Sequence, residues 1–396
     1  MDDFAHLVMV TSSNNNKYYD MCANGDILDV TYGRIGSTAI KARYPISQWN
    51  KKYNEKIRKG YVDMTHLVSE PQVADTGDDY LPIADSAIAE VFDFLRRCSR
   101  QILQQNYTIS TDKVTMAMVR EAQYKLEELG HARDCRDFNR LLIELFSVLP
   151  RQMGQVQNYL AGSANDMGKI VQREQDLLDV MRGQVAIPVA KKTNENSAAQ
   201  TMLEAMNLLV SPVSAEEKEN IIRHLGQQGS KYHNAWRVDQ ADTRKQFKEY
   251  MESHPGCVKK FLWHGSKNEN WLNILGTGLK LNPNATITGK MFGKGIYFAP
   301  SATKSAGYTS MTGSYWANGR SNRAFMAVME VACGKAFDIY DRPYNWSGIT
   351  AQNLDSYCKG ANYVFAHKDK GMLRNDEIVV YNEAQVTVRY LVELRV

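Results

Sequence analysis

Three patterns of hydrophobic and polar positions follow one another along this chain. Over residues 4–66, short apolar and β-branched runs are separated by Asn- and Gly-containing turns, which predicts strands followed by a helix over 46–59. Over about 84–210, apolar residues recur at i, i+3, i+4 and i+7, which predicts amphipathic helices packed as a bundle. From residue 258 onward, short β-rich runs alternate with Gly-containing loops, which predicts a mixed α+β unit.

These patterns predict a multidomain α+β protein, and the length of 396 residues is sufficient for several domains. A capping box predicts the start of a short helix in the last domain, because Glu217 follows Ser214 by three residues. We divide the chain into a small β-rich domain at 1–68, an acidic linker at 69–83, an all-α helical bundle at 84–212 and a mixed α+β domain at 213–396.

Composition argues against a membrane-embedded or secreted protein. Hydrophobic residues make up 43% and charged residues 23% of the chain, and the mean hydropathy is −0.44. Because there is no run of about 18 apolar residues and no apolar stretch at the N-terminus, we expect neither a membrane span nor a secretory signal. The six cysteines are too scattered for zinc or redox motifs, so we expect free thiols in a reducing, intracellular compartment and no metal site.

The net charge of +4 does not by itself indicate a function, but the charged residues are unevenly distributed along the chain. Residues 41–60 carry seven Lys or Arg against one acid, and residues 66–85 carry five acids and no Lys or Arg. Such a basic patch is typical of a surface that contacts a phosphate backbone. A solvated charged face is the equally simple alternative.

Three segments near the C-terminus carry candidate chemistry, namely residues 262–266, 291–299 and 375–381. Each is weak evidence alone. A single His264 is usually a satisfied polar residue, the glycines of 293–295 could form an ordinary turn, and Glu377 could be solvated. Two Gly-x-Gly pairs lack the third glycine of a dinucleotide-binding Rossmann motif, so that fold is not expected.

Taken in order, the segments closely resemble the catalytic domain of the poly(ADP-ribose) polymerase family. That family has a His-Gly-Ser turn, an MFGKGIYFA loop followed by KSAxY, and a Glu that begins a late strand. The matching pieces are HGS at 264–266, MFGKGIYFA at 291–299, KSAGY at 304–308 and Glu377. The resemblance spans about 258–396, and it implies an ADP-ribosyltransferase fold and an enzyme of the glycosyltransferase class. NAD⁺ would be a substrate, and no other cofactor is expected.

The resemblance implies how the nicotinamide half of NAD⁺ would be held. Tyr297 and Tyr308 would sandwich the flat, cationic nicotinamide ring, because aromatic faces attract cations. The main chain of Gly265 and the hydroxyl of Ser305 would bind the carboxamide, which offers one acceptor and two donors.

The same resemblance assigns the remaining site residues. His264 would hydrogen-bond a ribose hydroxyl of the adenosine half, with help from Ser266, and Lys280 would lie near the adenosine or pyrophosphate. Glu377 would bind the 2′-hydroxyl of the nicotinamide ribose, where a carboxylate stabilises the oxocarbenium-like charge that forms as nicotinamide departs. The set His264, Tyr308 and Glu377 is the one that permits chain elongation in the family.

Near the N-terminus, TYGRIGS at 31–37 resembles the signature of the WGR domain, which in relatives binds nucleic-acid ends. Arg34 would approach a backbone phosphate, and Trp49 or Tyr32 would contact a sugar or base, with Lys51 and Lys52 nearby. Tyr32 replaces the usual Trp. The alternative is a scaffolding domain that docks on the helical unit without binding DNA.

The helices of 84–210 lie where the family places a regulatory helical domain, which obstructs the NAD⁺ site until nucleic-acid binding loosens it. We therefore expect a protein ADP-ribosyltransferase that forms polymer, modifies itself and is stimulated by DNA breaks. Transfer of single units to protein or nucleic-acid ends, and a DNA-end-binding scaffold with little activity, remain alternatives. Expected partners are NAD⁺, DNA and protein acceptors, without a membrane, in the nucleus of a eukaryote or the cytoplasm or nucleoid of a bacterium.

Overall fold

The predicted N-terminal strands form one antiparallel sheet in the computed structural model, which describes residues 4–68, 80–107, 114–186, 200–281, 291–340, 346–368 and 373–396. The turns at Asn14 and Gly25 have φ of 67° and 59°, which Asn and Gly tolerate. The elements are β1 (Phe4–Val10), β2 (Asn16–Asn24), β3 (Ile27–Arg34), β4 (Ile40–Pro45), α1 (Trp49–Arg58) and β5 (Val62–Asp63). The strand order is β4-β3-β2-β1-β5.

Four long helices follow the sheet, as the 3.6-residue periodicity predicts. Side-chain oxygens of Thr115 and Asp134 cap the second and third of them. The predicted apolar stripe between Phe138 and Leu149 is buried. The helices are α2 (Ser86–Asn106), α3 (Met116–Leu129), α4 (Cys135–Val148) and α5 (Ala164–Ala186).

The described residues divide into two compact units that differ from the predicted domains. An N-terminal unit contains residues 4–68 and 100–185, in which Val8 and Leu67 share one hydrophobic core with α3, α4 and α5. A C-terminal unit contains residues 80–99 and 186 together with the described residues from 200 onward.

The C-terminal unit is built on two sheets. Its strand orders are β6-β7-β14-β10-β8, which is antiparallel, and β11-β12-β13-β9, in which only β11 and β12 are parallel. The strands are β6 (Leu208–Pro212), β7 (Tyr232–Gln240), β8 (Val258–Gly265), β9 (Ile296–Phe298), β10 (Arg323–Cys333), β11 (Lys335–Ile339), β12 (Ala361–Ala366), β13 (Glu377–Val380) and β14 (Val386–Arg395). The helices are α6 (Met202–Ala205), α7 (Ala215–Leu225), α8 (Ala241–Ser253), α9 (Trp271–Thr277), α10 (Ala302–Ala306) and α11 (Leu354–Tyr357).

The range 84–212, which the sequence predicts to be one helical bundle, is shared between the units. Residues 86–99 of α2 pack in the C-terminal unit, where Phe92 and Leu95 lie in one core with Trp236 and Trp271. Strand β6 also lies in this range and pairs with β7. Periodicity shows that a helix has a buried face, but it does not show which neighbour covers that face.

Three further expectations concern the linker, the cysteines and membrane spans. The acidic linker of 69–83 lies mostly outside them, because the description stops at residue 68 and resumes at residue 80. The six cysteines are free thiols. No helix in the described ranges combines the length and the apolar character that crossing a bilayer requires.

Candidate active site

The candidate site lies where the two sheets of the C-terminal unit meet. Trp263 at the end of β8 and Ala299 just after β9 exchange two backbone hydrogen bonds of 2.8 and 3.0 Å. Helix α10 is fixed to the same strand, because the Ser305 hydroxyl donates to the Trp263 carbonyl at 3.1 Å. Trp263, the residue that precedes the HGS turn, therefore contacts both the MFGKGIYFA segment and the KSAGY segment.

His264 is held in one tautomer by the main chain of β9. Its Nδ1 lies 3.1 Å from the carbonyl oxygen of Tyr297. Because a carbonyl can only accept, Nδ1 carries the proton in the neutral ring and Nε2 remains an acceptor. Burial lowers the pKa of His264 to about 4, so the imidazole is neutral near pH 7.

Gly265 is required by the close approach of α10. A Cβ at this position would lie 1.8 Å from the backbone oxygen of Ser305, so no other residue fits without moving the helix. Beside it, the Ser266 hydroxyl accepts a hydrogen bond of 2.9 Å from Asn270. The HGS turn thus brings Ser305 against β8 and positions the neighbouring hydroxyl.

The MFGKGIYFA loop is fixed around Tyr297. The phenol of Tyr297 accepts from the Phe292 N–H at 3.0 Å and donates to the Gly293 carbonyl at 2.9 Å. Gly293 has φ of 78°, and a Cβ there would lie 2.0 Å from the Ile349 oxygen. The glycines of this loop therefore allow neighbouring chain segments to approach more closely than a residue with a Cβ would permit.

Tyr308, the second predicted stacking residue, follows α10 and is 41% exposed. Burial raises the pKa of Tyr297, and the neighbouring Tyr308 phenol raises it further. The ring of Tyr308 lies nearly parallel to that of Trp316, with centroids 6.0 Å apart and planes at 18°.

Glu377 begins β13, as the sequence predicts, and is only 9% exposed. Its carboxylate forms an ion pair with Lys304 of α10. Burial lowers the pKa of Lys304 to about 8. Lys304 was not among the predicted site residues, although its place four residues before Tyr308, at the start of the KSAGY segment, is a signal that could have identified it.

Lys280 forms an ion pair with an acidic residue. Its ammonium lies 2.9 Å from one carboxylate oxygen of Glu383, whose other oxygen accepts from the Leu281 N–H at 2.8 Å. The carboxylate therefore offsets the positive charge that was expected to lie near the adenosine or pyrophosphate of NAD⁺.

Arg34, the predicted phosphate ligand of the N-terminal unit, donates hydrogen bonds to main-chain groups of that unit. Its guanidinium donates to the carbonyl oxygens of Asn14 and Gly154, each at 2.8 Å. The Asn14 side chain in turn accepts from the Val156 N–H at 3.1 Å. These contacts attach the strand β3 to the segment between α4 and α5.

The other predicted DNA-binding residues differ in accessibility. Trp49 is 5% exposed and lies in the core of the sheet, so its ring is not available to a base. The ring of Tyr32 lies 5.8 Å from the Lys56 ammonium. Lys51 is exposed, whereas the Lys52 ammonium lies 4.0 Å above the Tyr44 ring. Of the predicted cations, Lys51 is thus exposed, whereas Lys52 and Arg34 are partly buried.

Within the described residues, no cluster of three or more His, Cys, Asp or Glu side chains is arranged to hold a metal ion. The site described above contains aromatic rings, hydroxyl groups, one imidazole and two carboxylate–ammonium pairs, Lys304–Glu377 and Lys280–Glu383.

Comparison with known proteins identifies the domain that carries this site. The family model "Poly(ADP-ribose) polymerase catalytic domain" matches residues 215–396. This part of the chain is similar to that family. Its members are ADP-ribosyltransferases that use NAD⁺, so the resemblance seen in the sequence is confirmed.

Individual relatives extend the similarity beyond that domain. The chain is 28% identical over 201 residues to "Uncharacterized protein 101L" of Invertebrate iridescent virus 6, covering 50% of this chain and 84% of the viral one. It is 27% identical over 218 residues to poly [ADP-ribose] polymerase 2 of Arabidopsis thaliana, covering 48% of this chain and 33% of the relative. Poly [ADP-ribose] polymerase 1 of Danio rerio is 25% identical over 315 residues, covering 72% of this chain and 30% of the relative. The chain therefore spans about a third of the named plant and fish polymerases.

Proposed function

We propose that this protein transfers ADP-ribose from NAD⁺ to protein acceptors, itself included. The observation that carries the proposal is the position of Glu377. Val379 pairs with Tyr297, and Glu377 lies two residues before Val379, so its side chain is on the same face of the sheet as that of Tyr297. A nearly buried carboxylate therefore shares a face with the residue expected to stack on nicotinamide.

Binding of NAD⁺ would use the fixed elements of the site. Tyr297 and Tyr308 would hold the nicotinamide ring by stacking and cation–π attraction. The Gly265 main chain and the Ser305 hydroxyl, which the close approach of α10 brings together, would bind its carboxamide. The Nε2 acceptor of neutral His264 would bind a ribose hydroxyl.

The reaction would break the bond between C1′ of the ribose and the nicotinamide nitrogen. Nicotinamide leaves as a neutral molecule with the bonding electrons, and positive charge develops on the ribose, as in glycoside hydrolysis. The Glu377 carboxylate would stabilise this charge through the 2′-hydroxyl. An acceptor oxygen then forms the new C1′–O bond and releases its proton to the carboxylate or to water.

The ion pair with Lys304 supports this role. A buried carboxylate tends to take up a proton, whereas an adjacent ammonium favours its charged form. The Lys304 ammonium would therefore offset part of the cost of placing the Glu377 carboxylate where only 9% of the residue is exposed.

We further propose that transfer continues to polymer and that DNA breaks stimulate it. His264, Tyr308 and Glu377 supply the residue set that elongation uses. The exposed Lys51, with the partly buried Lys52 beside it, would supply positive charge for a phosphate backbone. Transfer of single units, to protein or to nucleic-acid ends, is the second candidate. The engagement of Arg34 with Gly154 is the observation that favours a scaffolding role for the N-terminal sheet over DNA sensing.

One experiment separates these possibilities. The purified chain is incubated with labelled NAD⁺, with and without nicked or blunt DNA, and the products are resolved on a denaturing gel. A smear is expected for polymer, a discrete shift for single units, and label on the oligonucleotide for a nucleic-acid acceptor. Failure to incorporate label under every condition would overturn the proposed activity.

A further inference from the structure

An exposed group of three aromatic side chains lies between α10 and β10. Tyr308, Tyr315 and Trp316 are 41%, 71% and 60% exposed, respectively. The rings of Tyr315 and Trp316 form a T-shaped pair, with ring centroids 4.5 Å apart and planes at 88°. Trp316 lies nearly parallel to Tyr308. Large aromatic rings gain free energy on burial, so three adjacent exposed rings beside a candidate site call for a functional explanation.

The segment that carries Trp316 is fixed to the residue before Tyr308. The backbone N–H groups of Trp316 and Ala317 both donate to the Gly307 carbonyl, at 2.9 and 3.1 Å. A Cβ at Gly307 would lie 3.0 Å from Cδ1 of Trp316, so the backbone and the indole are already in close contact. The geometry of the Tyr308–Trp316 pair is thus set by the main chain.

Backbone contacts also join the two ends of the segment from Ser310 to Ser321. Ser321 donates its N–H to the Ser310 carbonyl at 2.9 Å, and Thr312 donates to the Ser321 carbonyl at 2.8 Å. A Cβ at Gly319 would lie 2.3 Å from the carbonyl carbon of Ser310. These contacts restrict the movement of the segment, so the indole does not depend on side-chain packing alone for its position.

We propose that Trp316 is a positioning residue for NAD⁺, which holds the Tyr308 ring in the orientation that nicotinamide stacking requires. The inference rests on the proposed function. Tyr308 is half exposed, so without the neighbouring indole its ring is free to turn about its side-chain torsions, and each binding event then has to order it. An aromatic pair of this kind accounts for about a threefold to tenfold effect on an equilibrium.

The proposal makes a specific prediction for binding and turnover. Trp316→Ala should raise the Kd of nicotinamide and the KM for NAD⁺ by about threefold to tenfold, with kcat changed by less than about twofold. Trp316→Phe should keep most of the affinity, because it retains a ring against Tyr308. A residue that only stabilises the fold would not raise KM while leaving kcat nearly unchanged, and Trp316→Phe would not restore its effect on affinity.

The full chain is tested by calorimetric titration with nicotinamide and by initial rates of NAD⁺ consumption. Tyr124→Ala, which removes a 54% exposed tyrosine from α3 in the N-terminal unit, is the matched control and should bind nicotinamide like the wild type. If Trp316→Ala does not fold, Trp316→Leu tests the same point, since it keeps apolar volume without a ring.

The outcomes separate this inference from the function on which it rests. Wild-type binding with equal or tighter binding by the Trp316→Ala or Trp316→Leu variant would overturn the positioning role and leave the proposed function standing. A Phe variant as weak as the Ala variant would also contradict it. A wild-type chain that binds neither nicotinamide nor NAD⁺ would overturn both.

Discussion

The candidate NAD⁺ site of the C-terminal unit and the predicted DNA-binding set of the N-terminal unit were both inferred from short motifs, yet they differ in structure. At the NAD⁺ site, residues from separate segments contact one another: His264 bonds to the Tyr297 carbonyl, and Lys304 pairs with Glu377. In the N-terminal unit, Arg34 is bonded to carbonyl oxygens of its own unit.

The difference shows what a motif residue can mean. A glycine such as Gly265 or Gly293 in a motif is informative because no other residue fits its backbone surroundings. An arginine in a motif is ambiguous, since its five donors satisfy buried carbonyl groups as well as a phosphate. The predictions below test whether the two regions differ in function as they do in geometry.

The largest effect is expected for Glu377→Gln. Loss of the carboxylate should lower kcat by about 100- to 1,000-fold, because the charge on the ribose is no longer stabilised, while nicotinamide binding changes little. Initial rates of NAD⁺ consumption and calorimetric titration with nicotinamide measure the two quantities. Glu252→Gln, on the exposed surface of α8, is the control. A Glu377→Gln enzyme that elongates chains at the wild-type rate would contradict the role given to this carboxylate.

A second prediction concerns His264 and pH. Its pKa is lowered from 6.5 to about 4 in the folded protein, so the unfolded chain binds a proton that the folded one does not. The free energy of unfolding should therefore decrease as the pH falls from 6.5 to 4, by at most about 3 kcal/mol from this residue. Urea unfolding at pH 7 and pH 4.5 measures it. The His264→Asn variant should lose less stability than the wild type, and equal losses would refute the assignment.

The next effect tests the N-terminal unit. Arg34→Ala should lower the free energy of unfolding by about 2 kcal/mol, because hydrogen bonds from a charged donor to the Asn14 and Gly154 carbonyls are lost. Thermal melts measure this. Arg43→Ala, which removes a 77% exposed side chain paired with Asp29, should have almost no effect. An Arg34→Ala chain with an unchanged melting temperature and weaker DNA binding would restore the phosphate-ligand interpretation.

The smallest effect is expected for Lys51→Ala. If the exposed Lys51 contacts a DNA backbone, its removal should weaken binding by about threefold and reduce the salt dependence of the binding constant by about one unit of slope. Binding to blunt-ended DNA at several salt concentrations measures both. Lys245→Ala, on α8 of the C-terminal unit, serves as the control. If the salt dependence is identical in the Lys51→Ala and wild-type chains, the basic patch is a solvated surface.

Much of the secondary structure follows from local pattern. The apolar stripe from Phe138 to Leu149 is the buried face of α4, and Glu377 begins β13, both as the sequence predicts. Strand β6 and the division of α2 between two units were not predictable in the same way. Both depend on partners distant in sequence, which periodicity does not identify.

The sequence alone determined which residue types the candidate site contains, because its glycines, tyrosines and carboxylate lie in the motifs at 264–266, 291–299 and 304–308 and at Glu377. It could not determine which atoms meet. The pairing of Lys304 with Glu377, the burial of Trp49 and the engagement of Arg34 by Gly154 were decided only by tertiary structure. The physical reason is that a buried side chain loses its contacts with water, so its role depends on the protein groups that replace them. Those groups come from distant parts of the chain.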